Sequence, residues 1–144
     1  MGIVASNKRA SFDYELKKEL RAGIMLSGGE VKSVKAGNVS LAGSLVRVGS
    51  NAAWLANAYI APYQNQMEDQ ARRSRKLLLN ARELAELASA KQSGLHVVPL
   101  RLRTVRGLVK LDLATGRIRR KTDKRQTILA RQAKRQASRR LSPR

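Results

Sequence analysis

Between Gly116 and Arg144 the chain carries 12 Lys or Arg against a single acid, Asp123, a density of like charge that cannot build a hydrophobic core. The segment holds no aromatic residue and only four large aliphatics, Ile118, Ile128, Leu129 and Leu141. From Thr122 to Leu141 it contains neither Gly nor Pro, and Leu129, Ala133, Ala137 and Leu141 recur at every fourth position. That spacing puts them on one side of a helix. Such a segment is expected to be disordered when free and helical when a polyanion neutralises its self-repulsion. Nucleic acid is the polyanion that fits.

Composition bounds the remainder. The 144 residues amount to one domain and an appendage, and of the net charge of +20 the part before Gly116 keeps +9. The division expected is residues 1–115 as an OB-like RNA-binding domain and 116–144 as a basic tail. A tail built for a membrane surface would set Trp, Phe and Leu opposite its cations; this one offers mostly Ala and Gln. With no cysteine there is neither a disulfide framework nor a thiolate metal site. The longest apolar run, Ala52 to Pro62, is broken by Asn57 and is far shorter than the ~20 residues that span a bilayer. The expectation is a soluble, cytoplasmic protein.

Local signals divide the body. Residues 1–10 read as a polar lead-in. Ser11 is placed to cap a first helix, Phe12 to Arg21, with Gly23 past its end. Ser27 and Glu30 have capping-box spacing and open a short helix that stops at Gly37. Val39, Leu41, Leu45 and Val48, a turn at Gly49-Ser50-Asn51, and then Trp54, Ala56, Ala58 and Ile60 predict a hairpin with the second set facing the core. Lys76 to Asn80 reads as a short buried strand. Asn80 and Glu83 repeat the capping box before a helix with Leu84, Leu87 and Ala88 inward and Gly94 at its end. A second hairpin turns at Arg106-Gly107. Short antiparallel strands with one helix inserted predict a mainly β fold, an OB-fold-like closed antiparallel barrel with about three flanking helices.

Catalytic signatures are sparse. His96 is the single histidine, the ten acids lack ligand spacing, and Gly28-Gly29 is a weak phosphate nest of the kind that usually only makes a turn. No enzyme, metal or cofactor is expected. Basic clusters instead adjoin turns and caps: Asn7-Lys8-Arg9, Lys32 with Lys35, and Arg72 to Lys76. Lys and Arg neutralise phosphates, and Asn7 can bond a base edge or a 2′-hydroxyl. Glu30 reads as a cap first and a base-edge acceptor second. Trp54 and Tyr59 have the alternation of core residues, which leaves few rings for stacking bases. The expectation is recognition of a folded RNA by shape and backbone.

The motifs Asn7-Lys8-Arg9-Ala10 with Asp13-Tyr14, Ala22-Gly23-Ile24, Glu30-Val31-Lys32-Ser33, Lys35-Ala36-Gly37 and Trp54-Leu55 follow one another in order. Ile60, Pro62-Tyr63, Arg75-Lys76-Leu77-Leu78-Leu79-Asn80, Arg82-Glu83-Leu84, Val98-Pro99-Leu100 and Asp123-Lys124-Arg125 continue the series. Together they resemble the small protein B (SmpB) family, the tmRNA-binding proteins of bacterial trans-translation, from about Asn7 to Arg139. The resemblance implies an OB-fold body that binds the tRNA-like domain of tmRNA, and a basic tail that lies in the vacant mRNA channel of a stalled ribosome near the decoding centre. It implies tmRNA and the ribosome as partners and action as a monomer on RNA. A structural ribosomal protein or general RNA chaperone is the alternative.

Carried over with the basic clusters, the tmRNA-facing set is Asn7, Lys8, Arg9, Arg21, Glu30, Lys32, Lys35, Arg75, Lys76 and Leu78. The ribosome-facing set is Phe12, Arg119, Arg120, Lys121, Asp123, Lys124, Arg125, Arg131, Lys134 and Arg135. A helix from Asp123 to Leu141 would be about 28 Å long, narrow enough for an RNA-lined channel. The chain departs from the family pattern at Phe12, where His is usual, and at Arg21, where Glu usually precedes Ala-Gly.

Overall fold

The computed structural model describes residues 2–63, 70–119, 125 and 128–133. Between residues 2 and 118 the described elements follow in the order β1 (Gly2–Ser6), α1 (Ala10–Asp13), β2 (Tyr14–Ile24), α2 (Gly28–Lys35), β3 (Val39–Ser40) and β4 (Leu45–Val48), then β5 (Ala53–Ala56), β6 (Tyr59–Ile60), β7 (Arg75–Leu78), α3 (Ala81–Gln92), β8 (His96–Val105) and β9 (Leu108–Ile118). Seven strands form one antiparallel sheet in the order β1-β8-β9-β2-β7-β5-β4, and β3 pairs with β6. Residues 125 and 128–133 are helical and exposed.

The fold is mainly β, but the expected closed barrel is corrected. β1 and β4 are the two edges of the seven-stranded sheet, and no ladder joins them among the described residues. The edge of β8 turned away from β9 is taken by β1, the segment expected to be a lead-in, with Gly2 opposite Thr104 and Ser6 opposite Arg101. The sheet wraps a core of Ile24, Val34, Leu41, Leu55, Ile60, Leu77, Leu87, Leu102, Leu111 and Leu113. Val34 of α2 and Leu87 of α3 are fully buried in it.

The helix expected over Phe12–Arg21 is a single turn, α1, followed by the long strand β2. Phe12, Leu16 and Leu20 have helical spacing, but from Tyr14 opposite Ile118 to Gly23 opposite Lys110 the backbone pairs with β9. The longer ladder overrides the local preference, with a bulge between Leu16 and Lys18. Both capping boxes form as expected, Ser27 with Glu30 and Asn80 with Glu83. Gly37 and Gly94 follow the two helices at φ 83° and 85°, the left-handed position where glycine is unstrained. Arg106 and Gly107, at φ 51° and 78°, make the tight turn between β8 and β9.

Trp54 is a second correction. It is 39% exposed, while Ala53 and Leu55 are buried. The apparent run from Trp54 to Ile60 is two runs of opposite phase. Asn57 adopts φ 62°, ends β5 and resets the alternation, so that Ala58 and Ile60 point inward. The strand expected over Lys76–Asn80 lies at Arg75–Leu78, and only Arg75 and Leu77 face the core. β9 continues past Thr115: Gly116, Arg117 and Ile118 complete it against Leu16, Glu15 and Tyr14.

Candidate nucleic-acid interface

Two residues expected at the RNA surface are interior. Glu30 closes the α2 capping box, accepting the Ser27 N–H at 2.9 Å, and its other oxygen accepts Arg75 Nε at 2.6 Å. Arg73 reaches the same carboxylate from a half-exposed position. Arg75 is fully buried and also donates to the carbonyls of Ala58 at 2.7 Å and Ala71 at 2.9 Å. Burial pushes the Glu30 carboxyl up, but the Ser27 N–H and the guanidinium groups of Arg73 and Arg75 outweigh it, so the carboxyl lies below the ordinary glutamate value. Burial likewise lowers Arg75, partly offset by Glu30. Arg75 and Glu30, both expected on the tmRNA-facing surface, are thus buried and clamp α2 to β7 and the segment before it.

The remaining cations lie where strands and caps hold them outward. Asn7 is stapled to β8, its N–H to the Leu100 carbonyl at 2.7 Å and its side-chain amide donating to the Pro99 carbonyl at 3.0 Å. This fixes the turn that presents Lys8 and Arg9 at the rim of a cleft of about 470 Å³, lined also by Tyr14, Ser44 and Pro99. On α2, Lys32 lies 5.1 Å from the Tyr63 ring centroid, and Lys35 is exposed. Arg72 lies over Tyr59 at 5.4 Å and donates to the Asn57 carbonyl. Lys76 and Leu78 alternate with buried Leu77 and so share the outer face of β7. Arg21 is half-exposed, yet its Nε donates to Asp112 at 3.2 Å. Asp112 is almost wholly buried and also holds Arg101 at 2.8 Å and Arg103 at 2.7 Å.

Of the set expected to face the ribosome, Phe12 lies in α1 and Arg119 follows β9, bonded to the two residues after Phe12. Arg9 lies 5.4 Å over the Phe12 ring, and Arg119 donates its backbone N–H to Asp13 and its Nε to the Tyr14 carbonyl. Arg125 and Arg131 are helical and exposed. Arg120, Lys121, Asp123, Lys124, Lys134 and Arg135 lie outside the described residues.

Sequence alone placed Trp54 toward the core, and it gave no sign of Arg47 beside Trp54 on the outer face of β4 and β5 or of the three arginines around Asp112. The alternation of Lys110 and Asp112 with Val109, Leu111 and Leu113 carried the outward direction of Asp112, but its partners lie on two other strands. Among the described residues no group of three or more His, Asp or Glu is placed to hold a metal ion, and no helix is long and apolar enough to cross a membrane.

The sequence profile of the family described as SmpB protein matches residues 4–143. The SsrA-binding protein of Oleidesulfovibrio alaskensis is 44% identical over 142 residues, covering 96% of this chain and 92% of that one. The SsrA-binding protein of Coprothermobacter proteolyticus is 42% identical over 144 residues, covering 96% of each chain. A solved chain described under "tmRNA-SmpB: a journey to the center of the bacterial ribosome" superposes with a TM-score of 0.66 at 39% identity, covering 85% of this chain and 92% of that one. Identity of this order along nearly the whole length, body and tail together, decides the relationship: the chain belongs to the SmpB family.

Proposed function

We propose that this chain is a non-catalytic RNA-binding adaptor: its body binds the tRNA-like domain of tmRNA and delivers it to stalled ribosomes for trans-translation. The reading is carried by one observation, the match to SsrA-binding proteins across body and tail at about 40% identity. The geometry supports it. Lys8, Arg9, Lys32, Lys35 and Lys76 are exposed on elements that the capping boxes, the Asn7 staple and the sheet hold in place. Exposed cations on a rigid frame suit a folded RNA, whose backbone presents phosphates at fixed positions.

The tail has a separate task in this reading. It occupies the vacant mRNA channel near the decoding centre of the small subunit, with Arg125, Arg131, Lys134 and Arg135 against rRNA phosphates and Phe12 and Arg119 at its root. Tail and body hold different RNAs, so one chain acting as a monomer joins them. Work in the cytoplasm, where ribosomes translate, follows. Capture of the full-length protein from cells, with sequencing of the bound RNA, tests the proposal. One dominant species with a tRNA-like end is expected; a broad rRNA population without it would favour a structural ribosomal protein or an RNA chaperone.

A further inference from the structure

The outer face of the sheet sets Lys76, a member of the basic clusters, in a row with two residues that neither those clusters nor the tail includes, Arg47 and Trp54. Arg47 of β4 stands directly opposite Trp54 of β5, and Trp54 directly opposite Lys76 of β7. Residues in register share a face, so the indole lies between two cations one strand away on either side, about 4.8 Å each. Trp54 is 39% exposed, with Leu78 and Met25 beside it at 53% and 54%. Met25 joins the row through its backbone N–H to the Lys76 carbonyl at 2.9 Å. Gly23 opposite Leu78 keeps the surface low: a Cβ there would meet the Leu78 Cβ at 3.1 Å.

Two contrasts mark this site. Phe12, Tyr59 and Tyr63 each have an Arg or Lys of the chain near their ring face, whereas among the described residues none lies over Trp54. Arg9, Arg21, Arg73, Arg75, Arg101, Arg103 and Arg117 are each paired with a carboxylate, whereas among the described residues Arg47 and Lys76, like Lys8, Lys32 and Lys35, have none, and of these only Arg47 and Lys76 stand in register with an uncovered ring. An uncovered ring flanked by uncommitted cations is complementary to a base with its phosphates. A protein partner would leave both cations to be matched by acids of its own.

We propose that Trp54 is the stacking residue of a base-binding platform on the outer sheet face: an unpaired nucleobase of a bound RNA lies on the indole, and Arg47 and Lys76 contact the adjoining phosphates. The identity of that RNA as tmRNA rests on the function proposed above; the platform itself does not.

Trp54 is the chain's only tryptophan, so its emission reports this site alone. The full-length protein is titrated with a transcript of the tRNA-like domain of tmRNA, with a single-stranded oligonucleotide and with a blunt RNA duplex. Emission is expected to be quenched to saturation by the first two and left unchanged by the duplex. Trp54→Ala is expected to bind the tRNA-like transcript about 5- to 140-fold more weakly, the equivalent of the ~1–3 kcal/mol a stacked base contributes. Trp54→Phe, which keeps a ring, retains most of the affinity and controls for folding. Arg47→Ala and Lys76→Ala each lower the slope of log K against log salt by about one. Trp54→Ala binding both the tRNA-like transcript and the single-stranded oligonucleotide within twofold of the parent overturns the platform, whatever the emission does. Quenching by the oligonucleotide without binding of the tRNA-like transcript upholds the platform and sinks the tmRNA reading instead.

Discussion

Arg75 and Glu30, 45 residues apart in the chain, meet at 2.6 Å with both side chains withdrawn from solvent. The pair ties the first turn of α2 to β7, and through the Arg75 bonds to Ala58 and Ala71 it also holds the chain on either side of β6. Removing one member leaves the other charged and buried. Arg75→Met is therefore expected to lose about 3–5 kcal/mol of unfolding free energy in urea titration. Once the folded fraction is accounted for, its RNA affinity should equal that of the parent. A salt-dependent loss of affinity in the folded variant would return Arg75 to the interface.

The same carboxylate links stability to pH. The Glu30 carboxyl is lowered in the folded state, so its contribution is complete above the unfolded value, about 4.3, and disappears as pH falls through the lower folded value. In paired urea titrations the parent should exceed Glu30→Gln by a constant margin from pH 7 to pH 5. That margin should shrink below about pH 4. A margin that grows on acidification would mean that the folded carboxyl lies above the ordinary value.

Which parts of this structure can be read from sequence follows from how far apart the deciding residues lie. Ser27 with Glu30, Asn80 with Glu83, and Arg106 with Gly107 act across three residues or fewer, so their types and spacing contain the outcome. The burial of Arg75 depends on Glu30, and the strand at Leu16 and Leu20 depends on the β9 backbone around Leu113 and Gly116. A cation reads as surface, and a four-residue apolar spacing reads as helix, until such a partner is known. Trp54 was obscured locally instead. The left-handed Asn57 joins two alternations into an apparent single one, and it reversed the face on which the only tryptophan stands.

Asp112 orders a second pair of variants. It is nearly buried and holds Arg21, Arg101 and Arg103, whereas Arg21 has half its side chain in water. Asp112→Asn leaves three guanidinium groups around a neutral amide and is expected to cost about 1–3 kcal/mol. Arg21→Ala leaves Asp112 two partners and should cost under about 1 kcal/mol, as exposed pairs do. Raising salt should narrow the Asp112→Asn deficit by screening the arginines. Equal deficits for the two variants in chemical unfolding would show that Asp112 is not the hub.

The join between body and tail gives the sharpest separation of roles. Ending the chain after Arg119 keeps all of β9, including Arg117 opposite Glu15, Ile118 opposite Tyr14 and the Arg119 N–H to Asp13. Ending it after Thr115 removes that corner together with Gly116, the residue paired with both Leu16 and His96. Both truncations lack the tail, but only the shorter one loses sheet. The 1–119 chain is expected to unfold at the same urea midpoint as the whole protein, within the range of a neutral change, and to bind the tRNA-like domain equally well. The 1–115 chain should unfold at distinctly lower urea. Tagging of stalled chains in a translation extract should fail with both, because the charge run from Arg120 onward is the part assigned to the ribosome. A 1–119 chain that folds but no longer binds tmRNA would place RNA recognition in the tail and end the division of labour between the two halves.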